Sequence, residues 1–170
     1  HKVIMIIERD VMEYDVLIVG GGPAGLSAAI KIKQLAAKNN KEISVCLVEK
    51  GAEVGSHILS GAVIDPVALT ELIPDWKEKG APLNTKVSKD IFNIFTEKKN
   101  INIPQWLMPP IMSNKENYIV SLGDLCSWLS KEAENIGVEI YPGFSAQMPI
   151  FNSNEELIGI STGDMGRDSS

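Results

Sequence analysis

The chain is poor in cysteine: Cys46 and Cys126 are the only two in 170 residues. Two thiols so far apart cannot form the disulfide framework of a small secreted domain, and a reduced, intracellular setting fits them better. They also cannot supply the four thiolates of an iron–sulfur cluster. Long apolar runs are missing too, and none reaches the ~18 residues that a membrane-spanning helix needs. The short apolar stretch Val3 to Ile7 has neither the length nor the cleavage pattern of a signal peptide. A net charge of −6 leaves no clustered Lys and Arg for nucleic acid to bind. No Ser/His/Asp triad or paired acid and base stands out, so no catalytic side chain and no metal ligand is assigned.

What remains is ordinary globular composition, 44% hydrophobic and 22% charged, at a length that folding as one domain can bury to roughly 70% of the unfolded surface. Tyr14 to Val19 is a compact β-branched run, the pattern of a buried parallel strand. Glycines follow at once, and a helical pattern runs from Pro23 to about Lys38, with Asn39-Asn40 as its stop. Ile43 to Val48 is a second buried strand. Gly51 to Ala62 is Gly- and Ser-rich and predicts loop, after which Asp65-Pro66 opens a short helix through Leu72. Lys77 to Lys99 is polar with scattered apolar residues. Ile101 to Met112 is apolar, but its three prolines exclude a helix interior or a central strand. Tyr118 to Val120 predicts a strand, Gly123 to Gly137 a helix, and Val138 to Tyr141, Gln147 to Phe151 and Leu157 to Ser161 three more strands. The order is βαβ, an irregular excursion, then βαβ and a β-meander: an α/β sheet with an insertion. Three blocks are expected, 1–75, 76–117 and 118–170. The His at position 1 and the polar run from Gly163 to Ser170 read as the ends of a fragment.

The chemistry lies in Gly20-Gly21-Gly22-Pro23-Ala24-Gly25, which fits G-x-G-x-x-G between a strand and a helix. Gly20 permits the tight turn, Gly22 lets backbone approach a pyrophosphate, and Gly25 lets the helix press on the strand. The diphosphate then meets free N–H groups at the positive end of the helix dipole. Ala29 and Ala36 continue the small-residue face from Gly25. Glu49 ends the second strand, where its carboxylate can accept from both ribose hydroxyls, a charged bond worth ~1.5–3 kcal/mol. This constellation serves FAD or NAD alike; its place at the front of the chain favours FAD.

Beyond Glu49 stand Lys50-Gly51-Ala52-Glu53-Val54-Gly55-Ser56-His57-Ile58-Leu59-Ser60-Gly61-Ala62-Val63-Ile64-Asp65-Pro66. With Pro74-Asp75-Trp76, Gly80-Ala81-Pro82-Leu83, Asn117 to Leu125 and Gly137 to Phe144, this text closely resembles the electron transfer flavoprotein–ubiquinone oxidoreductases. The resemblance runs from about Glu8 to the last residue. It implies a Rossmann-like FAD-binding domain of the glutathione-reductase type with an inserted irregular and β region, incomplete at the C-terminus. It also implies FAD and a [4Fe-4S] cluster, the cluster beyond this sequence, with electrons passing from reduced electron transfer flavoprotein to ubiquinone at the inner, or mitochondrial inner, membrane. Gly20, Gly22, Pro23, Ala24, Gly25, Glu49 and Lys50 match the family's FAD-binding pattern. Leu59, Ser60, Gly61 and Ala62 match the segment beside the flavin, where small residues allow close backbone approach; a plain tight turn before a helix is the alternative. Ala146-Gln147-Met148 falls where related flavoproteins offer backbone contacts to adenine. His57 is assigned no role.

The apolar excursion has two readings. Ile101, Ile103, Trp106, Leu107, Met108, Ile111 and Met112, flanked by Lys98, Lys99 and Lys115, suit a peripheral membrane contact, as the resemblance implies. Alternatively they cover the domain's own core. For the whole, a flavin reductase or hydroxylase of the geranylgeranyl reductase type shares the βαβ unit, although the S-G-A-V-I-D-P loop argues against it. A non-enzymatic dinucleotide-binding module is also open.

Overall fold

The computed structural model describes residues 10–163. The apolar stretch Val3 to Ile7 and the tail after Gly163 lie outside the described residues. Strand β1 (Val16–Val19) feeds helix α1 (Pro23–Lys38), which returns to strand β2 (Val45–Glu49). The strands run parallel, Val16 opposite Val45 and Val19 opposite Val48. Helix α1 starts with Pro, whose missing N–H costs nothing there. It stops at Asn39, whose side chain donates back to the Leu35 carbonyl at 2.7 Å, and at Asn40, which takes a φ of 51°. Strand β8 (Val138–Pro142) joins the far side of β2, giving a parallel sheet in the order β1-β2-β8.

Helix α3 (Leu122–Asn135) packs beside α1, and both bury apolar faces against the sheet. Leu26, Ala29 and Ile30 of α1, Val45 and Leu47 of β2, Val138 of β8, and Leu125, Cys126, Leu129 and Ala133 of α3 form one buried cluster. Fully burying each of the larger side chains is worth about 1.5–3 kcal/mol. Ala29 and Ala36 are buried, as the small-residue face of the sequence requires.

A second sheet is antiparallel. Strand β3 (Gly61–Ile64) and strand β4 (Thr85–Lys86) flank strand β7 (Tyr118–Ser121), and α2 (Val67–Leu72) follows β3. Trp76 meets Tyr118 edge-on at 5.8 Å and donates its indole N–H to Thr70 Oγ1 at 3.0 Å. Two hairpins complete the described chain: β5 (Phe92–Phe95) with β6 (Asn100–Ile103), and β9 (Ala146–Phe151) with β10 (Leu157–Thr162).

The first βαβ unit and the short helix after Pro66 stand where the sequence places them. The later elements connect differently. Strand β7 does not form a βαβ unit with α3 and β8, because it pairs antiparallel with β3 and β4 while β8 belongs to the parallel sheet. The expected meander is a single hairpin, β9 with β10. The polar stretch 77–99 contains two short strands, β4 and β5. Trp76, Ala81 and Leu83, which the sequence boundary assigns to the insertion, are buried in the main core. The part that adds nothing to that cluster begins only after Leu83 and ends before Tyr118.

Candidate functional site

The turn from β1 into α1 is built from backbone. Gly20 takes a φ of +105°, a conformation side-chain-bearing residues rarely adopt, and donates its N–H to the Val48 carbonyl at 2.8 Å. Gly25 lies directly under the Gly20 carbonyl, so close that any β-carbon on it would overlap that oxygen. Strand and helix are thereby locked together without a side chain between them.

Gly22 caps α1 with extended backbone and offers no side-chain oxygen to the helix. A β-carbon on Gly22 would meet nothing within 4 Å, so the space in front of it is open. The helical ladder begins with Leu26 N–H donating to Gly22 O at 3.0 Å. The N–H groups of Ala24 and Gly25 in the first turn therefore have no partner within the helix. With no acidic residue in that turn, its partial positive charge is uncompensated from within. This cradle suits an anionic oxygen.

Glu49 stands at the end of β2, across from that turn. One carboxylate oxygen, Oε2, accepts the Gly21 N–H and the other, Oε1, accepts the Gly51 N–H, both at 2.7 Å. Two charge-assisted bonds hold the group on two sides. Each oxygen has a second lone pair, so the carboxylate is oriented and can still accept from a vicinal diol. The fit to the adenosine diphosphate part of FAD is therefore good: uncapped amides for the diphosphate and a fixed carboxylate for the ribose.

After Glu49 the chain folds back on itself. Gly51 O accepts the Gly143 N–H at 2.7 Å, tying the end of β8 to the loop. Gly55 (φ +91°) lies against Gly123, and a β-carbon on Gly123 would come 2.9 Å from Gly55 O. Lys50 and His57 are exposed. Leu59 is 96% exposed and Ser60 is exposed beside it. Gly61 and Ala62 begin β3, paired with Ser121 and Val120. Ala146, Gln147 and Met148 lie along β9, all exposed. Sequence pattern thus brings Gly20 to Gly25 and Glu49 together; the loop after Glu49 folds back against the start of α3.

The apolar excursion does not cover the core. Ile111 is 93% and Trp106 81% exposed, while Ile101, Leu107 and Met112 are exposed and Ile103 and Met108 partly so. They belong to β6 and to two 3-10 turns, Gln105–Leu107 and Pro110–Met112, with Met108 between the turns. Phe95, on β5, adds another exposed ring. None of them belongs to the buried cluster.

Comparison with known proteins bears on the family and the fold. A family model described as an FAD binding domain matches residues 15–78. The electron transfer flavoprotein-ubiquinone oxidoreductase of Pseudomonas aeruginosa is 57% identical over 95% of this chain. The mitochondrial protein of that name from Homo sapiens is 55% identical over 94%. The chain is homologous to one stretch of these oxidoreductases. It spans 30% of the Pseudomonas protein and 26% of the human one. In fold, a solved geranylgeranyl bacteriochlorophyll reductase-like protein from Thermoplasma acidophilum superposes with a TM-score of 0.60 at 22% identity, over 88% of this chain and 34% of that one. The fold is thus the Rossmann-like α/β fold of FAD-dependent oxidoreductases.

Two partners of Glu49, Gly21 and Gly51, are not among the glycines that the motif specifies. Gly21 occupies a free position of G-x-G-x-x-G, yet its amide holds the carboxylate and a β-carbon there would come 3.2 Å from Glu49 Oε2. The run of three consecutive glycines is the signal that points to it. The Gly55–Gly123 contact has no signal in either local sequence.

Proposed function

We propose that this chain supplies the adenosine diphosphate half of the FAD site in an enzyme that passes electrons from reduced electron transfer flavoprotein, through FAD and a [4Fe-4S] cluster, to ubiquinone. The observation that carries it is the pairing of an uncapped glycine-started helix with a carboxylate fixed by Gly21 and Gly51. The names of relatives at 53–57% identity support the donor and the acceptor. Gly20, Gly22, Pro23, Ala24 and Gly25 shape the diphosphate cradle. Glu49 takes the ribose hydroxyls and Lys50 borders it. Leu59, Ser60, Gly61 and Ala62 run beside the flavin, offering backbone N–H groups near the ring. When bound, FAD supplies the redox chemistry; the chain binds, orients and shields it.

The exposed apolar tip is read as a peripheral contact with the inner, or mitochondrial inner, membrane. Trp106 and Ile111 provide amphipathic and apolar anchors, while Lys98, Lys99 and Lys115 supply charge for anionic headgroups. No helix among the described residues is long and apolar enough to cross a membrane. The excursion between Leu83 and Tyr118 then divides two parts of one flavin domain.

A chimera tests this reading. Replacing the matching stretch of the Pseudomonas aeruginosa oxidoreductase with this chain should give a yellow protein that oxidises reduced electron transfer flavoprotein and reduces a soluble ubiquinone analogue. A folded chimera that holds flavin but accepts no electrons from that donor would refute it.

A further inference from the structure

The excursion that carries the apolar tip hangs from the body by a narrow neck. No residue between Leu83 and Tyr118 contributes to the buried cluster, and β5 and β6 pair only with each other among the described strands. Burial therefore does not fix where the tip points. Hydrogen bonds must.

Those bonds converge on one side chain. Asp90 Oδ2 accepts the backbone N–H of Asn114 at 2.9 Å, and Oδ1 accepts the Asn114 side-chain amide at 2.9 Å. Oδ2 also accepts from Gln105 Nε2 at 3.2 Å. Asp90 precedes β5, Gln105 opens the first 3-10 turn, and Asn114 follows the second. One carboxylate thus bonds to both ends of the Trp106–Ser113 segment from a residue inside the excursion, just past its junction with the body at Val87 and Asn117. Below it the neck is held by Val87 N–H to Asn117 O at 2.9 Å and by the exposed pair Lys86–Glu116. Asn117 also donates to Asn114 Oδ1 at 3.3 Å, which turns the Asn114 amide toward Asp90. The hydrogen bonds to Asn114 hold the Asp90 carboxyl below its usual range.

We propose that Asp90 is the positioning residue of the excursion: its carboxylate latches Gln105 and Asn114 and so presents the Trp106–Ile111 tip in one direction. The claim that this presentation serves a lipid surface rests on the membrane reading above, whereas the latch itself does not.

Both parts are testable on the purified chain with Asp90→Ala, Asp90→Asn and Asn114→Ala. Chymotrypsin cleavage after Trp106 and Leu107, followed by mass spectrometry, reports opening of the segment. Cleavage should be about tenfold faster in Asp90→Ala, the size expected from losing charge-assisted bonds in a local opening. Asp90→Asn keeps one acceptor oxygen but turns an NH2 toward the remaining donors, and should fall between. Melting temperature should hold in all three, because the core receives nothing from this region. Unchanged cleavage in Asp90→Ala, or a melting point that falls in step with cleavage, would overturn the latch. Co-sedimentation with vesicles of mixed zwitterionic and anionic lipid then separates the two claims. Weaker pelleting of Asp90→Ala supports presentation to lipid, and equal pelleting despite faster cleavage overturns it. A wild-type chain that never pellets removes the membrane reading, and cleavage alone then decides the latch.

Discussion

Gly25 sits beneath the carbonyl of Gly20 with no room for a β-carbon, whereas Gly22, three residues earlier, faces open space. The two glycines of one motif therefore do different work. Gly25→Ala must push α1 off β1 and should destabilise the fold by about 1–3 kcal/mol or more, as overpacking does. Gly22→Ala, at a φ of −81° that alanine adopts freely, should leave stability within about 1 kcal/mol while weakening FAD binding sharply. Thermal melts and flavin titrations of both variants check this, and equal loss of stability in the two would contradict it.

The contact between Gly123 and Gly55 makes a second distinction. Alanine at 123 suits a helix better than glycine by about 1 kcal/mol, but its β-carbon would come 2.9 Å from the Gly55 carbonyl. The loop leading to Leu59–Ala62 must give way. With the loop beside the flavin, as proposed above, Gly123→Ala in the chimera should lower affinity for FAD more than for ADP, because the displacement leaves the diphosphate cradle untouched. An unchanged ratio of the two affinities would place that loop away from the ring.

The thiols give a prediction about pH. Burial pushes Cys46 up to about 11, with the charge of Glu139 adding to it. Burial likewise lifts Cys126 to about 11, with Glu49 as the second cause. Both folded values lie above the ordinary 9.0, so the native state keeps protons that the unfolded chain releases. Their contribution to stability is complete below pH 9.0 and is lost as pH rises from there toward about 11. A thiol-specific disulfide reagent at about pH 8 should find almost no reactive thiolate in the native chain and both cysteines after denaturation. Prompt native reaction of either would contradict the packing described.

The parts that were legible in the sequence share one property: their partners are close in the chain. Val16–Val19, the glycines, α1 and β2 form a unit whose strand pattern, small-residue helix face and terminal Glu49 all point to the same arrangement. The later region failed that test. Tyr118–Ser121 is a short apolar run before a helix, and nothing in it says whether it pairs parallel with β8 or antiparallel with Gly61–Ile64, more than fifty residues back. The Asp90–Asn114 bonds and the Gly55–Gly123 contact were hidden for the same reason, since an isolated Asp or Gly carries no mark of a distant partner. The apolar excursion lay between these cases. Its composition and prolines excluded a central strand, but only the fold shows that Trp106 and Ile111 stand clear of the core.

Gly21 and Gly51 hold the Glu49 carboxylate on two sides and leave it the lone pairs that the proposed function gives to a ribose. Isothermal titration of the chain with ADP and with FAD, for wild type, Glu49→Ala and Glu49→Gln, tests it most directly. Glutamine keeps the size but must turn an NH2 toward one of the two amide donors, so both variants should bind about tenfold or more weakly, the size of one lost charged hydrogen bond. Affinity that survives either substitution undiminished would contradict it.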